Sequence, residues 1–179
     1  TQRDEGSHSW LSMNTSIDVF LEDPELDRDF SNLYNQIIWQ PLPWIKLNLD
    51  AQFPLASNGS GFSEYSTSTT FMPSKNTELT VGYRYLNSHP TLEDSSRLHL
   101  RAYTRFNEKW GASFYQQWEL DDGTLESQQY SIHKDLGSWS ASLGVTQRNN
   151  RIKSELGVML SFTLKDFPSL SIPLSLDTE

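Results

Sequence analysis

The stretch Trp44-Ile45-Lys46-Leu47-Asn48-Leu49-Asp50-Ala51-Gln52-Phe53-Pro54-Leu55 decides the fold class. Ile45, Leu47, Leu49, Ala51, Phe53 and Leu55 are apolar, and Lys46, Asn48, Asp50 and Gln52 lie between them. A helix would spread those polar groups around its whole circumference. A strand places them all on one face, because successive side chains point to opposite sides.

The same two-residue period recurs along the chain. Leu11, Met13, Thr15, Ile17, Val19 and Leu21 alternate with Ser12, Asn14, Ser16 and Asp18. Leu79, Val81, Tyr83 and Tyr85 alternate with Glu78, Thr80, Gly82 and Arg84. Further alternating runs cover 97–106, 110–120, 138–148 and 152–165. Three segments are less regular: 32–40, where Ile37, Ile38 and Trp39 adjoin; 62–72, mostly Ser and Thr; and 124–135. Turn-forming clusters separate the runs, among them Pro41-Leu42-Pro43, Pro73-Ser74-Lys75-Asn76, Asn107-Glu108-Lys109, Asp121-Asp122-Gly123 and Asn149-Asn150. Longer connections are expected at 22–31, 56–61 and 88–96. Connections of a few residues join antiparallel neighbours. The pattern predicts an all-β antiparallel meander of about ten strands, each about ten residues long, over residues 1–168, with 169–179 as an extended tail carrying on past Pro168.

Bulk composition narrows the function. The 179 residues carry 23 acidic and 14 basic side chains, a net charge of −9, which argues against a nucleic-acid partner. There is no cysteine, so thiolate metal sites, disulfides and cysteine nucleophiles are excluded. Mean hydropathy is −0.58, and no apolar run reaches the ~18 residues of a membrane-spanning helix. Membrane-spanning strands escape that criterion, because only alternate residues face lipid.

Long runs, aromatic residues near the run ends and charges on the opposite face point to a transmembrane β-barrel, or part of one, in the bacterial outer membrane. Trp10, Trp39, Trp44, Trp110, Trp118 and Trp139 are the expected interfacial girdle, with Tyr83 and Tyr85 in support. One alternative is a small self-contained outer-membrane pore or barrel hydrolase; a further one, which also alternates polar and apolar residues, is a soluble β-sandwich binding module.

Two clusters are candidates for chemistry. Arg84, Arg97, His99, Arg101 and Arg105 share the polar phase and form a candidate lumenal basic patch that contacts anions. The competing expectation is charge pairing with acidic groups such as Glu78 or Glu119. Ser131, His133 and Asp135 share one strand face and would serve a barrel hydrolase, against the plainer expectation of a polar stripe. Asp121-Asp122-Gly123 is accounted for by a turn. No phosphate loop, zinc motif or nucleophile elbow occurs, and neither an enzyme nor a cofactor is expected.

The run Gln128-Gln129-Tyr130-Ser131-Ile132-His133-Lys134-Asp135-Leu136-Gly137-Ser138-Trp139-Ser140-Ala141-Ser142-Leu143 resembles the Tyr-x-x-x-x-Asp-Leu-x-x-Trp segment near the end of the LPS-assembly outer-membrane protein family, LptD. Gly157 to Pro168 is similar to the last strand of such barrels. Together these cover about a quarter of the chain. The resemblance implies a lipopolysaccharide translocon with many more strands, a periplasmic jellyroll, an LptE-like lipoprotein plug, periplasmic bridge partners and a lateral exit between first and last strands. Family members commonly carry a cysteine just before the tryptophan. Ser138 stands there in this chain, so disulfide-controlled maturation is in question.

Overall fold

A computed structural model describes residues 10–19, 30–54, 63–89, 91–149 and 154–165, with 167–178 described for the backbone alone. The expected connections 22–31 and 56–61, the turn at 149–150 and the positions Leu21, Leu55 and Ile152 fall wholly or partly outside them. The strands are β1 (Leu11–Ser16), β2 (Leu33–Leu42), β3 (Ile45–Phe53), β4 (Ser63–Ser74), β5 (Thr77–Asn87), β6 (Ser95–Arg105), β7 (Trp110–Glu119), β8 (Thr124–Asp135), β9 (Trp139–Asn149), β10 (Ser154–Leu164) and β11 (Phe167–Thr178). They form one antiparallel sheet in strict sequence order, with no helix among the described residues. The fold is the expected all-β meander, with eleven strands where about ten were expected. The added strand comes from the tail, which pairs with β10 from Leu164↔Phe167 to Leu156↔Thr178. Pro173, opposite Ser161, does not interrupt the pairing.

β1 is half as long as its alternation predicts. After Ser16 the Ser31 hydroxyl accepts the Asp18 N–H at 2.8 Å, while the Ser31 N–H donates to the Asp18 carbonyl at 2.8 Å. A side chain has taken one ladder position there, and pairing resumes only as the isolated bridge Val19↔Phe30.

The connections sort by end. β2–β3, β4–β5, β6–β7, β8–β9 and β10–β11 are joined by 43–44, 75–76, 106–109, 136–138 and 165–166. The opposite end carries 17–32, 54–62, 88–94, 120–123 and 150–153. One end thus holds only short turns and the other all the long connections.

Register assembles the alternating residues into two continuous faces. On one, Ile37 pairs with Leu49, Ile45 with Phe71, Phe71 with Leu79, Leu79 with Ala102, Phe114 with Tyr130, Tyr130 with Val145 and Val145 with Val158. On the other, Asp50 pairs with Ser66, Ser66 with Arg84, Arg84 with Arg97 and Arg97 with Glu119.

Candidate functional site: the covered polar face

On β8, β9 and β10 the exposure of the two faces is the reverse of that in a soluble sheet, whereas on β2, β3 and β6 the polar-face residues Gln36, Asp50, Arg101 and Arg105 are exposed and Leu49, Leu98 and Leu100 are half-buried. Leu143 is 53% and Val145 43% exposed, whereas Ser131 is 6% and Glu119 5% exposed. Among the described residues every strand contacts only its sequence neighbours, so no second layer covers either face and β1 does not touch β11. Polar side chains can then be covered only by one another, which requires the sheet to curve toward them. Glycines relieve the resulting crowding. A Cβ at Gly82 would lie 2.1 Å from His99 Cε1, and one at Gly144 would lie 2.5 Å from Ser131 Oγ.

The apolar face is large. With strands about 4.8 Å apart and about 20 Å of apolar height, it covers on the order of 1,000 Å². Soluble monomers rarely expose more than a few hundred Å² in one patch. Trp39, Trp110 and Trp139 lie on it at the short-turn end, and Trp44 in the β2–β3 turn packs edge-on against Phe71 at 5.5 Å. Trp10 lies at that end as well, its carbonyl accepting the Gln40 N–H. Trp118 sits apart from the other five, at the long-connection end, where Tyr65 also stacks on Tyr85 at 5.0 Å. The residues expected as one girdle therefore divide between two rims.

The five residues of the expected basic patch do share the polar face, but most are engaged. Arg84 meets Glu64 at 2.7 Å. Arg97 Nε lies 3.2 Å from both Glu119 and Glu126. Arg105 approaches Asp135 at 3.6 Å, and Asp135 also binds Lys165, tying together the short-turn ends of β6, β8 and β10. His99 lies over Gly82. Arg101 differs: its guanidinium stacks over the Tyr115 ring at 5.8 Å and, among the described residues, has no carboxylate in ion-pair range.

Ser131, His133 and Asp135 follow one another along the polar face of β8 without forming a hydrogen-bonded relay. His133 Nε2 bonds Ser113 Oγ on β7 at 2.8 Å, Ser131 Oγ accepts from Gln129 at 3.4 Å, and Asp135 is held by Lys165 and by the Gly137 N–H. Among the described residues no carboxylate bonds the second nitrogen of His133. The Ser113–His133 pair thus lacks the group that orients a catalytic imidazole. Sequence reasoning missed Ser113 and Glu126. Centring the β7–β8 hairpin on Asp121-Asp122-Gly123 would have placed Ser113 opposite Ser131, beside His133.

Comparison with protein-family models, with characterised proteins and with solved structures found no match.

Proposed function

We propose that this chain is a wall of an outer-membrane β-barrel that takes part in lipopolysaccharide transport and assembly at the cell surface. The observation that carries the membrane part is a broad apolar face that nothing covers among the described residues, opposite a face that gathers the charges and is the more covered of the two on β8–β10. The arrangement suits a bilayer on one side and a wet lumen on the other. The end that holds only short turns fits the periplasmic side of such barrels, and the end that holds all the long connections fits the outer side.

Open edges in hydrocarbon cost several kcal/mol per unpaired group. The sheet is therefore completed by further strands rather than left open. A small self-contained pore would need β1 to meet β11, and the described residues hold no such contact. The reading that best fits is one side of a larger barrel.

The lipopolysaccharide assignment rests on the resemblance at Tyr130–Leu143, supported by a polar face on which Arg101 is exposed to phosphate groups. An LptE-like plug would fill the lumen, and periplasmic bridge partners would approach from the short-turn end. A photo-crosslinking residue at position 101 tests it in cells. An adduct with lipopolysaccharide that disappears when its supply from the inner membrane is blocked is expected. A barrel that assembles and yields no such adduct would refute the assignment.

A further inference from the structure

Lys134 is the one charged side chain on the apolar face among the described strand residues. β8 places it there by parity: Ile132 and Tyr130 precede it on that face, and it pairs with Trp110 and Ala141. Its ammonium lies 4.9 Å from the centre of the Trp110 ring, at the short-turn rim. One row further from that rim, Ala112 pairs with Ile132. The short side chains of Ala102 and Ala112 leave an apolar groove of about 820 Å³ between the bulkier Phe71, Leu79, Ile132 and Leu143. Beside β8 the groove begins at the row of Ala112 and Ile132 and runs toward the middle of the face past Phe114, Tyr130 and Val145, with Lys134 and Trp110 one row outside its lining.

We infer that this groove and Lys134 form a binding site for one anionic glycerophospholipid, its acyl chain in the groove and its phosphate at Lys134. The inference rests on the proposed membrane setting of the apolar face. A lysine stem lies along apolar surface while its charge stays in the headgroup layer, and the Trp110 ring fixes it in place. A lone cation beside a slot fitted to hydrocarbon discriminates by headgroup charge as well as by chain. The short-turn end of an outer-membrane barrel faces the periplasmic leaflet, which selects a glycerophospholipid over lipopolysaccharide as the source of the phosphate.

The test uses the full-length protein in phosphatidylcholine vesicles carrying a trace of spin-labelled phosphatidylglycerol or spin-labelled phosphatidylcholine. Protein-bound lipid is read as the motionally restricted fraction. The wild-type protein should hold the phosphatidylglycerol about fivefold more strongly at one site, the effect of one interfacial lysine. Lys134→Gln should abolish that preference and Lys134→Arg should keep it. Ala112→Phe, which fills the groove, should reduce the restricted phosphatidylglycerol while leaving Lys134 in place. Equal restriction of both lipids by the wild type, or an unchanged preference in Lys134→Gln, would overturn the site and leave the barrel standing. Displacement by lipid A at equal mole fraction would overturn the choice of a phospholipid. Restriction of neither lipid would overturn the site and the membrane reading together.

Discussion

Glu119 at the end of β7 holds the start of β6 through Arg97: its Oε2 lies 3.2 Å from Arg97 Nε. The same carboxylate accepts the Ser96 N–H at 2.7 Å and the Ser95 hydroxyl at 2.8 Å. Glu126 joins from β8, meeting Arg97 at 3.2 Å and accepting from Gln117 at 2.9 Å. Three strands converge on one covered charge cluster at the long-connection end of the polar face.

Removing the carboxylate leaves a covered backbone N–H and part of an arginine charge without a partner. Glu119→Ala should lower the unfolding free energy by about 2–3 kcal/mol. Arg97→Leu should cost less, because Arg97 is partly exposed and Glu119 keeps its two serine donors. Urea titration of the refolded protein, followed by tryptophan fluorescence, measures both. Equal losses would contradict the assignment of Glu119 as the centre of the cluster.

Gly144 makes room for Ser131. A Cβ there would meet Ser131 Oγ at 2.5 Å and the Tyr130 carbonyl at 3.2 Å. Gly144→Ala should destabilise by about 1–2 kcal/mol. Ser131→Ala removes the closer obstacle, so the double variant should recover part of the loss, and a double-mutant cycle isolates that coupling. Strict additivity would mean that the curvature at β8–β9 has another cause.

Val145 and Thr146 are sequence neighbours on opposite faces of β9, paired with Val158 and Gly157. Val145→Arg should cost about 2–4 kcal/mol in a bilayer, and Thr146→Arg about 1 kcal/mol or less. In a water-exposed sheet both changes would stay within about 0.5 kcal/mol, since Val145 is already substantially exposed. Vesicle-reconstituted unfolding titrations separate the two cases.

How much of this was legible in the sequence differs from element to element. The alternation in 44–55 led directly to β3, because nothing interrupts its period. The run 124–135 read poorly because of a register shift at Gln117/Trp118, which makes Glu126 an extra residue and inverts the phase on either side. The Ser/Thr-rich run 62–72 gave little apolar signal. It is a full strand held by partners on both sides, including Asn48 with Ser68 at 3.2 Å and Thr70 with Thr80 at 3.0 Å. The prolines of the tail concealed a strand, because a proline in a run argues against a paired strand, yet β11 pairs with β10 along its length. At the site, the placement of the five basic residues on one face followed from parity alone. Which of them is neutralised depends on cross-strand register, and that separates Arg101 from Arg84, Arg97 and Arg105. Ser113 was missed because its partner His133 lies twenty residues away and the two meet only once the β7–β8 hairpin is centred on its Asp121-Asp122-Gly123 turn.

The chain contains no cysteine, so single cysteines can be introduced along β9 and spin-labelled without background. In reconstituted vesicles, labels at 141, 143 and 145 should be reached by dissolved oxygen and shielded from a water-soluble nickel reagent. Labels at 140, 142 and 146 should show the reverse. If the odd positions were instead shielded from both probes, as in a dry protein interior, or open to the nickel reagent, the membrane-facing wall would be contradicted.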